Sequence, residues 1–247
     1  MRKNKDKFKI SFSQLLAKFR YFLLWFIPFV VFSIGFIPLI TSIMIIFNFL
    51  TFNKILDFIL LPFIIYIELV ILVFSEILIS GVIIRMFNIK YNEGTYGYSF
   101  ENKMAFKWML ICQLYTPIRK IFEIIPMGRI QKFYLKLLGM KIGRNTLVGG
   151  TIKDPCVTEL GKNSTIGEYA VVYAHIHNYE KGTLRIKKVK IGDNCIIGAG
   201  AIVMPGVVME NNSILGAGGL VPKNHILKKG KIYVGNPLKE IKNNIKK

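Results

Sequence analysis

An aliphatic residue returns every six positions through KVKIGDNCIIGAGAIVMPGVVMENNSILGAGGLVP, residues 188–222. The residues in this register are Ile191, Ile197, Val203, Met209, Leu215 and Val221. An α-helix repeats every 3.6 residues and a plain strand alternates every two, so neither produces this period. A fixed short period is the sign of a repeat architecture, in which each unit stacks on its neighbours.

The same register extends upstream, with two interruptions. Its members there are Ile142, Val148, Leu160, Ile166 and Val172. Asp154 occupies a register position and breaks the pattern. The next member, Ile191, comes 19 residues after Val172 (191 − 172), which is one residue more than three hexapeptides. The break in phase predicts a loop over residues 173–188 that protrudes from the repeat domain.

A second column of residues supports the repeat. Small residues lie two positions before the next aliphatic, at Thr146, Ser164, Ala170, Cys195, Ala201, Val207, Ser213 and Gly219. A chain that turns sharply every six residues needs one aliphatic side chain inside and one small residue at each corner. Short strands then stack on those of the next coil, and the core grows along one axis.

The chain is too apolar for an ordinary soluble domain, with 52% hydrophobic residues and a mean hydropathy of +0.43. Residues 21–53 contain no charge, and residues 58–84 form a second apolar stretch. Each is long enough for a bilayer, which needs about 20 apolar residues. A secretory signal is disfavoured, because the first stretch exceeds a signal core and lacks a small-residue cleavage site.

Charge predicts how these two spans are oriented. Residues 1–20 carry seven Lys or Arg, and Arg85 and Lys90 follow the second span. Positive residues favour the cytoplasmic side, so a helical hairpin with both ends in the cytoplasm is expected.

The three cysteines, Cys112, Cys156 and Cys195, fit neither a disulfide framework nor a zinc spacing, which is typical of reduced thiols in the cytosol.

Two further features of the first half have two interpretations each. Glu68 and Glu76 lie inside the second span, where a carboxyl marks either a proton or acceptor path or a polar contact between helices or subunits. The contact is favoured, because one hairpin is too small for a transport path.

The connector, residues 91–139, mixes aromatic and basic residues, which suits an amphipathic helix on the membrane surface or an ordinary packing helix.

The repeats resemble those of the hexapeptide-repeat (isoleucine-patch) acyltransferases. That resemblance implies a left-handed parallel β-helix with three hexapeptides per coil, a homotrimer, and an active site between neighbouring subunits that uses acyl-CoA. The stretch EGTYGYSF, with FKWML and YLKLLGMKIGRNTLVGG after it, is similar to the membrane-embedded C-terminal region of polylysine-synthetase-type nonribosomal peptide synthetases. The carrier and adenylation parts of those enzymes are absent from this sequence.

The resemblance also predicts a catalytic base on the protruding loop. The stretch HNYEKGTLRIKKVKIGD is similar to the loop of the family, and its histidine falls on His177. His175 lies two residues away and shares one side of an extended chain with it. Of the two, His177 is favoured as the base that takes the acceptor's proton. Glu180 and Asn178 are expected to orient the imidazole.

Four residues match positions that bind CoA in the family. Ala199 and Ala217 match small residues whose backbone contacts the pantetheine arm. Lys223 matches a lysine on the phosphate side, although Pro222 precedes it where threonine is common. Lys239 stands where an arginine is common, so it supplies charge without the bidentate geometry of a guanidinium.

The predicted function is a membrane-anchored O- or N-acyltransferase, with acetyl as the expected group and a membrane-associated glycan or lipid-linked precursor as the acceptor. A non-catalytic scaffold of a membrane complex is the alternative, and a metal-dependent hydratase is disfavoured because three spaced histidine ligands are lacking. No metal is expected, and no nucleic-acid partner is expected either, since no stacking platform accompanies the net charge of +20.

The predicted parts are a basic cytoplasmic N-terminus (1–20), a transmembrane hairpin (21–90, with spans at about 21–50 and 58–84), the connector (91–139), a β-helix domain (140–222) and a basic tail (223–247).

Overall fold

The computed structural model describes residues 12–49 and 55–241. Most of the predicted basic N-terminus, the end of the first predicted span and the last residues of the predicted tail therefore lie outside the described residues. Along the described chain, five α-helices, with one short strand between the third and the fourth, precede a series of very short strands.

The first three helices form the apolar part of the protein. They are α1 (Phe12–Gly35), α2 (Ile37–Phe47) and α3 (Ile55–Met86). The break between α1 and α2 coincides with Pro38, which occupies the first turn of α2, where a proline is tolerated. By length and composition, Phe12–Phe47 and Ile55–Met86 are each able to cross a membrane. Most of their large apolar side chains are exposed.

The two glutamates of α3 lie at its contact with α1 and α2. The hydroxyl of Ser42 donates to Glu68 Oε1 over 2.7 Å. The carboxylate of Glu76 packs on Gly35, where an added Cβ would come within 2.4 Å of it. Both carboxyls are buried between helices. The bond to Ser42 supports a polar helix–helix contact for Glu68, whereas neither carboxyl oxygen of Glu76 has a hydrogen-bond partner among the described residues.

The connector folds into β1 (Gly94–Gly97), α4 (Lys103–Ile124) and α5 (Gly128–Leu137). Side chains of α4 reach the strand domain: the Tyr115 hydroxyl donates to the carbonyl of Ile152 over 2.8 Å. On the other side, Tyr134 of α5 forms a 3.0 Å hydrogen bond with Ser80 of α3. The connector is therefore a packing element between the apolar helices and the strands, which is one of its two expected interpretations.

The strand domain is a parallel β-helix, as the six-residue period predicts. Strands in register are 18 residues apart, as in the pairs Ile197–Leu215 and Val203–Val221, so three hexapeptides complete one coil. Three parallel sheets result. The first sheet contains β2 (Lys141–Ile142), β5 (Thr158–Leu160), β10 (Val189–Ile191), β13 (Val208–Met209) and β16 (Ile226–Leu227). The second sheet contains β3 (Leu147–Val148), β6 (Thr165–Ile166), β11 (Ile196–Ile197), β14 (Ile214–Leu215) and β17 (Ile232–Val234). The third sheet contains β4 (Thr151–Ile152), β7 (Val171–Val172), β12 (Ile202–Val203) and β15 (Leu220–Val221).

The interior of the coils is filled by the aliphatic residues of the register. Ile166, Ile197 and Leu215 have no exposed surface. Corners in the left-handed backbone region are occupied by asparagines or glycines, such as Asn194 (φ 55°) and Gly200 (φ 66°), with Tyr169 (φ 60°) as an exception. These residue types adopt that conformation most readily, which is why the chain can turn at such short intervals.

The β-helix extends further than the sequence analysis predicts. β16 pairs with β13 and β17 pairs with β14, so the coils continue to Val234, beyond the expected boundary at residue 222. Leu227 and Tyr233 occupy the two next positions of the same six-residue register, a signal that the analysis missed. A final antiparallel strand, β18 (Lys239–Ile241), pairs with β17.

The protruding loop is a β-hairpin, not an irregular segment. β8 (His175–Asn178) pairs with β9 (Thr183–Ile186), and β1 of the connector adds a third antiparallel strand. At the earlier break, Ile152 takes the interior position expected at 154, and a 3₁₀ turn over Pro155–Val157 restores the register by Leu160.

Replacement of a coil interior residue should destabilise the β-helix far more than replacement of its outward neighbour. Ile197→Ala removes a fully buried side chain and should lower the free energy of unfolding by about 2–5 kcal/mol. The control Ile196→Ala lies on the same strand but is 45% exposed, and its cost should stay below about 1 kcal/mol. Denaturant titration of the detergent-solubilised chain measures both, and equal costs would contradict the coil register.

Candidate active site

The two histidines of β8 point to the same side of the hairpin, as their spacing predicts. The ring centroids of His175 and His177 are 5.6 Å apart. Both side chains face α4, where the indole of Trp108 lies 4.8 Å from His175 and 5.1 Å from His177. The connector thus forms one wall of the site, although the sequence analysis assigned no residue of it to the chemistry.

The buried carboxylate of Asp154 organises this site. Its Oδ1 accepts hydrogen bonds from the Tyr91 hydroxyl (2.8 Å) and the Trp108 indole N–H (3.1 Å). Its Oδ2 accepts from the backbone N–H of Ala174 (2.9 Å) and lies 2.6 Å from Nδ1 of His175. Four partners from three segments of the chain therefore surround one fully buried carboxyl group.

Asp154 is ionised despite its burial. Burial raises its pKa, but the hydrogen bond and charge of His175, with the Ala174 N–H and the Tyr91 hydroxyl, outweigh that effect and hold the pKa below its usual range. An ionised carboxylate only accepts hydrogen bonds, so Nδ1 of His175 carries the proton. The other ring nitrogen of a neutral His175, Nε2, is then left with a free lone pair.

His177 lies in an aromatic environment instead. Its ring contacts Tyr98 (4.7 Å between centroids) and stacks on Tyr179 (5.6 Å). Its Nδ1 is buried and has no hydrogen-bond partner within the part of the chain that the structure describes. Burial, followed by the neighbouring His175, lowers the pKa of His177, with Asp154 opposing. His177 is therefore a neutral ring at pH 7.

The residues expected to orient the imidazole have other positions. The side chain of Asn178 accepts from the backbone N–H of Lys181 over 3.0 Å, within the turn of the hairpin, and Glu180 is exposed in that turn. Asp154 is instead the partner of an imidazole, that of His175. In the sequence, Asp154 was interpreted only as a break in the repeat. Burial of a carboxylate at an interior position is unfavourable in free energy unless polar partners surround it. The interior register position of Asp154 was therefore the sequence signal that such partners exist.

Three of the four residues matched to the CoA site lie along one edge of the β-helix. Ala199 and Ala217 are exposed at the same corner of successive coils, where the N–H of Gly218 donates to the carbonyl of Ala199 over 2.9 Å. Lys239 pairs with Val234, which precedes the equivalent corner of the next coil.

Lys223 lies apart from these three. It is exposed at the next corner, where the N–H of Asn224 donates to the carbonyl of Pro205. Strand β15 separates this corner from the one that holds Ala217. The corner at Ala217 exposes backbone and the corner at Lys223 exposes a positive charge. A ligand that lay across the third sheet would meet both.

No metal-binding cluster of three or more His, Cys, Asp or Glu side chains is present in residues 12–49 and 55–241. The third histidine, His225, lies in a different environment, against Tyr233 of the penultimate strand (6.4 Å between centroids). The histidine pair of the hairpin, with Asp154, is an arrangement able to accept and hold a proton.

Comparison with known proteins identifies the repeats. The bacterial transferase hexapeptide family (six repeats) matches residues 188–223. The protein named "Putative acetyltransferase YvoF" from Bacillus subtilis (strain 168) is 34% identical over 107 residues, which are 38% of this chain and 59% of that protein. The chain thus matches less than two thirds of the length of this relative.

Solved structures with similarity include two acetyltransferases. A maltose O-acetyltransferase from Clostridium difficile 630 is 26% identical, with a TM-score of 0.40, over 51% of this chain and 82% of that one. A hexapeptide-repeat acetyltransferase from Vibrio cholerae is 20% identical, also with a TM-score of 0.40, over 42% of this chain and 62% of that one. Residues 188–223 therefore match the bacterial transferase hexapeptide repeat, and the 18-residue coils have the length of three such repeats.

Proposed function

We propose that this protein is a membrane-anchored acyltransferase, which transfers an acetyl or similar group from acyl-CoA to a hydroxyl or amine of a membrane-associated acceptor. The observation that carries the proposal is the 2.6 Å contact between Asp154 and His175, on a hairpin that leaves a transferase-type β-helix. Acetyltransferases among its relatives support the same reaction class.

The reaction follows from the proton positions. Nε2 of His175 removes the proton of the acceptor as its oxygen or nitrogen attacks the thioester carbonyl of acyl-CoA. A bond forms between the acceptor and the acyl carbon, the carbon–sulfur bond breaks, and the released thiolate takes the proton back from the imidazolium. Asp154 stabilises the positive charge on the ring during this cycle and holds it in the productive tautomer.

This mechanism assigns the base to His175, whereas the sequence analysis favoured His177. The contact of Asp154 with Nδ1 fixes the tautomer and the orientation of the His175 ring, so that Nε2 is left to accept a proton. His177 has no such partner among the described side chains, and its lowered pKa makes it a weaker base. In the proposal, His177 forms a wall of the acceptor site beside Tyr98.

The acyl-CoA substrate would bind along the corners of the β-helix. The exposed backbone at Ala199 and Ala217 suits the pantetheine arm, because small side chains leave the amides accessible. Lys223 and Lys239 would neutralise the phosphates. The resemblance to hexapeptide acyltransferases supports a left-handed winding and a homotrimer, in which the hairpin of one copy faces the corners of the next.

The apolar helices support a membrane anchor. Phe12–Phe47 and Ile55–Met86 are long enough to span the bilayer, and their outward side chains are aromatic or aliphatic. Arg85 and Lys90 at the end of the second helix favour a cytoplasmic exit, which gives the β-helix access to cytosolic acyl-CoA. The likeness to the membrane region of polylysine synthetases is consistent with this arrangement and stays a prediction.

Removal of the proposed base should abolish most turnover. His175→Ala should lower kcat by about 10²–10⁴-fold, the usual contribution of a general base. Asp154→Asn should lower kcat as well, because an amide cannot stabilise the imidazolium. His177→Ala should change KM for the acceptor more than kcat. Release of free CoA thiol, with membranes as the acceptor source, measures all three.

His225→Ala is the matched control, since that histidine lies outside the site, and it should keep wild-type turnover. Thermal unfolding of each variant checks that the fold persists. If His177→Ala abolishes turnover while His175→Ala retains it, the assignment of the base to His175 is wrong. If neither variant loses turnover in an active preparation, the histidine mechanism is wrong. If the wild-type chain itself has no turnover, the scaffold alternative gains instead.

A shared site between subunits predicts complementation between two inactive variants. Ala217→Trp should block CoA binding on one face of a copy, and His175→Ala should remove the base from another. Random mixing in a trimer would restore about a quarter of the sites, because each site needs one intact face from each copy. Native mass spectrometry establishes the trimer, and thiol release measures recovery. Mixed trimers without any recovered turnover would place the complete site within one copy.

A further inference from the structure

An open groove runs between α1, α3 and α4, on the side of α4 away from the β-helix. Its volume is ≈ 630 Å³, within the range of ligand sites. The walls are almost entirely apolar, with Leu23, Ile27, Val30, Ile83, Phe106 and Leu110 among the residues that line them. Since α1 and α3 are the apolar helices proposed to span the membrane, a hydrocarbon chain can enter this groove from the bilayer.

One end of the groove carries a cluster of cations. Arg20, Lys103 and Lys107 line it, and no carboxylate is among the described residues that do so. Arg20 Nη1 donates to the backbone carbonyls of Phe100 (3.0 Å) and Glu101 (2.5 Å), which holds the guanidinium at the start of α4. Lys103 is the first residue of α4 and Lys107 lies one turn further, so all three charges surround a helix N-terminus.

The same helix links this cluster to the histidines. Trp108, which contacts both imidazoles, follows Lys107 directly. Tyr98, which contacts His177, lies two residues before Phe100, whose carbonyl binds Arg20. Two residues span at most about 7 Å along the chain, so the connector carries the cation cluster and the aromatic wall of the histidine site on neighbouring residues.

We propose that the groove binds one lipid with an anionic phosphate headgroup, with the hydrocarbon chain between α1 and α3 and the phosphate at Arg20, Lys103 and Lys107. This lipid carries the acceptor group of the transfer reaction, a role that rests on the proposed function. Arginine and lysine bind phosphate through charge-assisted hydrogen bonds, and the apolar walls select an aliphatic or isoprenoid chain over a soluble anion.

The binding test uses the full chain in a neutral detergent, with phosphatidic acid as the probe and diacylglycerol of the same chains as the neutral comparison. Native mass spectrometry should show one phosphatidic acid per chain and little diacylglycerol. Lys103→Gln with Lys107→Gln should weaken phosphatidic acid binding on the order of ten- to thirtyfold, because each lysine contributes to the anion site. Val30→Trp, which fills the chain-binding part, should weaken it at least tenfold.

The matched control is Lys120→Gln with Lys136→Gln, which removes the same charge from α4 and α5 outside the groove and should change affinity less than twofold. Equal binding of diacylglycerol, or equal loss in both lysine pairs, would overturn the proposal. A Val30→Trp chain that loses its oligomeric state but keeps full lipid affinity would also overturn the proposal, because the groove would then be a contact between subunits.

The lipid site and the chemistry can fail separately. His175→Ala should bind phosphatidic acid with wild-type affinity, because the cations and the groove are untouched. Retained binding with no acyl transfer in the wild-type chain would support the groove and count against the proposed reaction. Loss of phosphatidic acid binding in the His175→Ala variant would contradict the separate placement of the two sites.

Discussion

The protein depends on one buried carboxylate, Asp154. An ionised group with no exposed surface is strongly unfavourable unless it is fully hydrogen-bonded, and here four donors meet that need. They come from the segment after α3 (Tyr91), from α4 (Trp108), from the β-helix (Ala174) and from the hairpin (His175). The same group therefore joins the helices to the β-helix and sets the proton position of the proposed base.

The β-helix and α4 divide the remaining tasks. Stacked coils hold the root of the hairpin, and β1 from the connector pairs with β9, so the histidine strand β8 is the edge of a three-stranded sheet. Rigid support of this kind is what a catalytic geometry needs. α4 presents Trp108 to the histidines and Phe106 and Lys107 to the apolar groove, so one helix lines both proposed sites.

The proposed function gives a physical reason for combining a membrane anchor with a transferase domain. A lipid-bound acceptor diffuses in the plane of the membrane, whereas acyl-CoA arrives from the cytosol. The proposed site lies between the two supplies: the groove opens toward the apolar helices, and the CoA corners at Ala199 and Ala217 lie on the exposed β-helix. Tight packing at Gly35 and Glu76 would keep α1 and α3 together as the groove walls.

The sequence alone determined the parts whose signal is periodic or compositional. Six-residue spacing predicted the coils, and the same register at Leu227 and Tyr233 held the true end of the β-helix. Uncharged length predicted the apolar helices, and the phase break located the hairpin. The tertiary structure decided the partner of the imidazole and the wall of the site. Asp154 meets Tyr91 63 residues away and Trp108 46 residues away, and no local pattern encodes contacts between segments so far apart. Such contacts arise only when the connector packs against the coils, because a buried charge selects its donors by proximity in the fold and not by their spacing in the chain.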